Sequence, residues 1–360
     1  MQAMKIAVVG VGAMGSVYAG LLADAGNEVW AVDRWREHVE AIRERGLRVE
    51  GASGDRIARV RSTTEPTEVG EAELVIIATK AMDVQAASES ARVLVGPGTL
   101  VLSIQNGLGG PDIAASILGE EGVAVGVVGG FGASIVEPGH VHHHGFELVR
   151  LGERKGPVTP RIEAIADIWR AAGFNVQTYD DVDQLVWEKL ICNVTYSGVC
   201  SVLACTIADV IADPSAWTVA SRCGEEAFDV ARGRGVSLGF DDPIAYVREF
   251  GRKVPGARPS MLLDLLAGYG FKPWRSFAAY LIVIATFATS YFIIGQTIGP
   301  ALSPLGSVVF SMTSFHGRGF FPGGIGLDDP LTMLAAIEAF VGLLIEVTFI
   351  ATLTQRLFGK

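Results

Sequence analysis

Four short groups of residues in this chain have types and spacings that could do chemistry. The first is Gly10-Val11-Gly12-Ala13-Met14-Gly15, a G-x-G-x-x-G. It ends the apolar run KIAVVG at residues 5–10 and opens a helical stretch, and Asp33 closes the next apolar run, EVWAVD at residues 28–33. Strand, glycine turn, helix and a carboxylate after the second strand form the context that turns this common motif into a dinucleotide fingerprint. Gly10 makes the tight turn, Gly12 lets the backbone approach a pyrophosphate, and Gly15 allows close helix packing, with the phosphate on the helix N-terminus. Asp33 suits the ribose hydroxyls of NAD, while Arg34 beside it suits the 2′-phosphate of NADP, so the residues leave both cofactors open. The second and third groups are Thr79-Lys80 and Gln105-Asn106-Gly107. Each follows an apolar run, so both lie at the carboxyl edge of a sheet, where open α/β folds bind ligands. The fourth is Lys189 and Asn193, four residues apart and therefore on one helix face. A lysine so placed is ordinarily a solvated surface residue, and it gains meaning only from the other three groups.

The elements that must hold these groups alternate. Residues 5–10, 28–33, 72–79, 99–104 and 123–128 are apolar, β-branched runs that read as buried parallel strands. Residues 11–25 and 38–45 read as helices between them. The class is α/β with a Rossmann-type parallel sheet over residues 1–160. From residue 161 the period changes: 161–172, 184–210, 215–234 and 259–267 read as helices of an all-α domain ending at residue 268.

Composition narrows the function classes. The chain has 360 residues and a formal net charge of −10. Nucleic-acid binding needs a basic footprint, which this chain lacks. Cys192, Cys200, Cys205 and Cys223 have no CxxC spacing and read as small apolar residues of a reducing cytosol. His142-His143-His144 reads as a solvated loop, because consecutive strand residues alternate faces and at most two could reach one ion. No metal site is expected. The N-terminus has no basic region followed by a cleavage site, so it is not a signal peptide.

The four groups, with Arg258-Pro259-Ser260-Met261-x-x-Asp264, occur in the order and spacing of a known family. Over residues 4–268 the chain resembles ketopantoate reductase (2-dehydropantoate 2-reductase). The resemblance implies NADPH-dependent reduction of ketopantoate or a similar 2-keto acid to the 2-hydroxy acid, with NAD(H) a second option. It implies Lys189 as general acid and Asn106, Asn193, Ser197 and Ser260 as substrate-binding residues. It implies Gly10, Gly12, Gly15, Asp33, Arg34, Lys80 and Asn106 at the cofactor. The family has a second Asn where this chain has Ser197. It also has an active-site Glu where this chain has Lys272, so turnover is expected to be impaired.

Residues 269–360 have a different texture. The stretch 277–299 is 23 residues without charge, and 331–358 is a second apolar run. The first is long enough to span a bilayer. Lys272, Arg275, Arg356 and Lys360 would keep both ends in the cytoplasm. The segment between them, with Gly317, Arg318, Gly319 and Pro322, resembles the pore loop of two-span channel-like proteins. The expectation is a membrane hairpin with a re-entrant loop behind a cytoplasmic enzyme, tethering it to the cytoplasmic membrane. The expected partners are a small 2-keto acid, the membrane through 277–299 and 331–358, and further copies of the chain. Two other readings stay open: a nucleotide-sensing membrane pore that does no chemistry, and an inactive chimera of two truncated genes.

Overall fold

The structure is a computed structural model that describes residues 3–130, 132–145, 148–266, 273–297, 301–315, 330–339 and 341–342. The chain separates into two compact units. One comprises Met1–Val199 with Ile207–Ala257, the other Cys200–Thr206 with Arg258–Lys360.

In the first unit the continuous apolar runs become the centre of an eight-stranded sheet. Strands β1 (Lys5–Val9), β2 (Glu28–Val32), β6 (Leu74–Ile77), β7 (Leu100–Ser103) and β8 (Val123–Gly129) lie where the apolar runs place them. Three short strands, β3 (Leu47–Gly51), β4 (Arg56–Ala58) and β5 (Arg61–Thr63), follow β2 in the chain. The later strands are β9 (Gly132–Glu137), β10 (His140–Gly145), β11 (Leu148–Glu153) and β12 (Val176–Thr178). The large sheet runs β12-β11-β8-β7-β6-β1-β2-β5, and β4-β3-β10-β9 form a second sheet. All pairs of the large sheet are parallel except β11 with β8. β1 lies between β2 and β6, so the chain leaves it in one direction and returns on the other side. That is the topological switch point where a crevice opens at the carboxyl ends of the strands.

Helices α1 (Ala13–Asp24), α2 (Arg36–Arg45), α3 (Val84–Ala91), α4 (Gly110–Leu118) and α5 (Pro160–Ala171) accompany the sheets. One face of the large sheet packs on α1 and α5. There Trp169 is fully buried, with its ring centroid 5.1 Å from Tyr18 and 4.8 Å from Phe174. A second cluster joins Val9, Val75, Ile77 and Val101 to Ala87, Ala91, Ala114 and Ala115 of α3 and α4.

The helical part departs from the sequence reading in two places. The expected helix 184–210 is two helices, α6 (Val182–Leu203) and α7 (Ile207–Ala212). Ala204 between them has φ 52°, in the left-handed region that ends a helix. Alanine gives no sequence signal for that stop. α8 (Pro214–Gly233) and α9 (Pro243–Lys253) follow, each with proline in its first turn. Asp213 and Asp242 cap them, each accepting two backbone N–H groups. α9 was not foreseen.

His142–His144 are not in a loop. They lie on β10, and the alternation required of a strand is present: His143 is fully buried, while the rings of His142 and His144 share a face 4.8 Å apart. Among the described residues no group of three or more His, Cys, Asp or Glu could hold a metal ion. All four cysteines are free, with Cys192 and Cys200 buried.

The second unit corrects the membrane reading. It contains α10 (Ser260–Leu266), α11 (Pro273–Thr297), α12 (Pro304–Phe315) and further helix at 330–339. Among the described residues no helix is long and apolar enough to cross a membrane. Tyr291 of α11 instead packs with Leu302, Phe310, Leu331 and Ala335. Glu338 is fully buried there, and it accepts from the Tyr291 hydroxyl at 2.7 Å and from Ser311 Oγ at 2.5 Å. Burial raises the Glu338 pKa against those two hydrogen bonds. An apolar run measures burial but does not name the medium, and here part of it is buried by its neighbouring helices. The expected pore loop, with Gly317, Arg318, Gly319 and Pro322, lies outside the described residues. So do Lys272 and most of the second expected span.

Candidate active site

The glycine loop is shaped by contacts that a side chain would break. Gly10 has φ +95°, and a Cβ there would lie 2.6 Å from Thr79 Cγ2 and 2.7 Å from the Thr79 backbone nitrogen. A Cβ on Gly15 would collide with the Gly10 carbonyl oxygen, so only glycine lets α1 start this close to the end of β1. A Cβ on Gly12 would meet no protein atom within 4 Å. The loop therefore closes on itself at Gly10 and Gly15 and is open at Gly12, on the approach to the N-terminus of α1. That arrangement fits a dinucleotide pyrophosphate. Gly15→Ala must push the loop off the end of β1. We expect it to cost about 1–3 kcal/mol, as overpacking does. A thermal melt and a nucleotide titration should show lower Tm and weaker binding together.

Asp33 is committed to this loop. Its Oδ2 accepts the Val11 N–H at 2.7 Å and its Oδ1 accepts the Trp35 N–H at 3.0 Å. Both oxygens thus hold backbone, a bracing role that the motif alone did not reveal. The Arg34 guanidinium is largely exposed and bonds Asp83 Oδ1 at 3.0 Å. Asp83 follows the Thr79-Lys80 turn, and Lys80 is exposed at the start of that turn. The Thr79 hydroxyl is buried without a hydrogen-bond partner beside Gly10.

A second cleft in the same unit is lined by Gln105, Asn106, Gly107, Val127, Val186, Lys189, Leu190 and Asn193. Three of the residues expected at the site, Asn106, Lys189 and Asn193, therefore converge. Gln105 anchors the Asn106 turn: its amide donates to the Ile77 carbonyl of β6, and Ser103 Oγ donates to its Oε1 at 2.6 Å. Lys189 and Asn193 come from α6, one turn apart. Ser197, one turn further on, is half-buried and does not line the cleft. Ser260 begins α10, in the other unit.

Lys189 Nζ donates to the Val128 carbonyl of β8. Burial of the ammonium, and after it the charge of Arg150, bring the Lys189 pKa down to about 8. Arg150 was not anticipated. It sits on β11 directly opposite Val127 of β8, so both side chains share one face of the sheet, and Val127 lines the cleft. Its Nε is buried without a hydrogen-bond partner. Its place beside Lys189 follows from strand pairing between distant segments, which the local sequence does not display. The site thus offers an ammonium whose pKa is lowered to about 8, the amides of Asn106 and Asn193, and a nearby second cation.

The chain is similar to known proteins along most of its length. The family model for ketopantoate reductase PanE/ApbA matches residues 6–156, and that for its C-terminal domain matches residues 181–271. The 2-dehydropantoate 2-reductase of Streptococcus pyogenes serotype M3 is 28% identical over 267 residues, 74% of this chain and 86% of that protein. The crystal structure of a PanE/ApbA family ketopantoate reductase from Ralstonia eutropha matches with a TM-score of 0.68 at 28% identity. The match covers 96% of this chain and 99% of that one, so the likeness does not stop at residue 268 as the sequence suggested. The ternary structure of D-mandelate dehydrogenase with NADH and anilino(oxo)acetate matches with a TM-score of 0.66 at 28% identity, over 73% of this chain and 86% of that one. This chain is an oxidoreductase of the 2-dehydropantoate 2-reductase type and belongs to the ketopantoate reductase PanE/ApbA family.

Proposed function

We propose that this protein reduces ketopantoate, or a 2-keto acid of similar size, to the 2-hydroxy acid with NADPH, in the cytoplasm. The observation that carries the reading is the convergence of Lys189, Asn106 and Asn193 on one cleft, in the same unit as a glycine loop that is open at Gly12. The bound nicotinamide supplies a hydride to the carbonyl carbon. As negative charge develops on the carbonyl oxygen, the Lys189 ammonium neutralises it and transfers its proton there, leaving the alcohol. An ammonium has three donors. Val128 takes one of them, so two remain for the substrate. Asn193 and Ser197 on α6 hold the substrate's oxygens, and Asn106 stands between nicotinamide and substrate.

Gly10, Gly12 and Gly15 receive the pyrophosphate. Asp33 braces the loop and Lys80 lies near the cofactor. Arg34 takes the 2′-phosphate in place of Asp83, which favours NADPH; NADH remains the second cofactor for this reading. Lys272 in place of the family's Glu is expected to slow turnover without abolishing it. A nucleotide sensor that does no chemistry needs only the glycine loop, and it leaves the three cleft residues without a use. Likeness to a ketopantoate reductase over nearly the whole chain runs against a fusion of two unrelated fragments.

The test is NADPH oxidation by the full chain with ketopantoate and with 2-keto acids of graded size. Saturable turnover that prefers ketopantoate is the expected result. Bound nucleotide with no oxidation by any keto acid would sink the proposal.

A further inference from the structure

His38 is fully buried in α2, outside the cleft, and both of its ring nitrogens are engaged. The Gly139 N–H, from the turn between β9 and β10, donates to Nδ1 at 3.1 Å. Nε2 lies 3.1 Å from Ser16 Oγ in α1. Ser16 Oγ in turn donates to the Val11 carbonyl at 2.9 Å. A hydroxyl has one proton. Since the Ser16 proton goes to Val11, Ser16 must accept from His38. The ring is therefore the neutral tautomer with its proton on Nε2, assigned from its partners. Trp35 stacks on it, with centroids 4.7 Å apart and planes at 12°.

Val11 is the middle residue of Gly10-Val11-Gly12. Its N–H is held by Asp33 and its carbonyl by Ser16, which is held by His38. A buried hydroxyl needs hydrogen-bond partners, and those of Ser16 are the imidazole and the loop carbonyl. Together the two bonds fix the orientation of the peptide that the dinucleotide must approach.

We propose that His38 is a positioning residue of the nucleotide site: its neutral imidazole clamps the glycine loop through Ser16, and protonation of the ring releases the loop. This rests on the reading that the loop binds a nicotinamide dinucleotide. A proton on Nδ1 would face the Gly139 N–H, donor against donor, in a place water does not reach. The groups facing the ring are Ser16 from α1, the Gly139 backbone, Trp35 and, as the charge that acts on it, Asp33 at the end of β2. Burial outweighs the attraction of Asp33 and keeps the ring neutral, so the clamp is closed at neutral pH and opens as the pH falls.

The test is calorimetric titration of the full chain with NADP⁺ and with NAD⁺ across about pH 5 to 8, the range in which histidine is poised to switch. NAD⁺ lacks the 2′-phosphate, which itself titrates in this range. The wild-type Kd should rise about tenfold toward the acid end for both nucleotides, about 1.4 kcal/mol of affinity. His38→Gln keeps a donor for Ser16 that does not titrate. It should bind as the wild type does at the alkaline end and lose the acid weakening of NAD⁺ binding. Ser16→Ala cuts the link with the ring in place and leaves the Nε2–H without its acceptor, so it should bind more weakly at every pH, with a lower melting temperature, and lose the acid weakening of NAD⁺ binding. A His38→Gln profile that still tracks the wild type, or full affinity in Ser16→Ala, would overturn the proposal. Absence of nucleotide binding by the wild type at any pH would overturn the dinucleotide reading and this proposal with it.

Discussion

Replacing Lys189 by Met should lower kcat for ketopantoate by two to four orders of magnitude, the usual worth of a positioned proton donor. Nucleotide binding should be almost unchanged, because Lys189 lines the cleft with Asn106 and Asn193 and not the glycine loop. Methionine keeps most of the buried stem, so loss of folding is not expected to confuse the result. The pH dependence gives a second, independent reading. A general acid works only while protonated. With the Lys189 pKa brought down to about 8, the rate should be full below that pH and fall as the pH rises through it. Arg150→Met removes a positive neighbour, so the alkaline limb should move to higher pH. A limb that stays in place in Arg150→Met, measured as kcat/KM against pH, would show that the limb belongs to another group.

Trp169→Ala should be the most destabilising single change in the first unit. Trp169 is fully buried between Tyr18 and Phe174 on the face of the sheet covered by α1 and α5. Removing such a ring leaves a cavity that the surrounding strands cannot close, at a cost of about 3–5 kcal/mol. In a domain of this size each kcal/mol lowers Tm by roughly 2–4 °C. Differential scanning calorimetry should therefore record a large fall in the transition of this unit. A fall of only a degree or two would mean that the α1–α5 layer is not the core described here.

How far the sequence shows the fold depends on where each element sits. β1, β2, β6, β7 and β8 are legible because strands covered on both faces need unbroken apolar runs. The second sheet is not. Its strands carry Arg48, Glu50, Arg56 and His142 on a half-solvated surface, and its pairing joins segments about ninety residues apart. The stop at Ala204 is hidden because alanine is the best helix former, and only tertiary context forces it into the left-handed region. In the second unit, hydropathy reports that α11 prefers to leave water, and its neighbouring helices satisfy that preference in part, at Tyr291.

The site divides in the same way. Gly10 and Gly15 are readable because each answers a backbone need that no other residue meets, and Gly12 because it leaves the loop open. Lys189 and Asn193 are readable as a helix face, but their meeting with Asn106 depends on how α6 lies across the end of β7. Arg150 became visible only through the pairing of β11 with β8. Asp33 was read as a ribose acceptor, and in the structure its two oxygens hold Val11 and Trp35.

The central claim is that this chain moves a hydride from a nicotinamide to the carbonyl carbon of a 2-keto acid. The most direct measurement is the mass of the product formed by the full chain from ketopantoate and NADPH deuterated at both C4 positions. The account predicts a 2-hydroxy acid carrying one deuterium at the new carbinol carbon, formed at a rate that collapses in Lys189→Met. Unlabelled product, or no product from a chain that still binds the nucleotide, would contradict it.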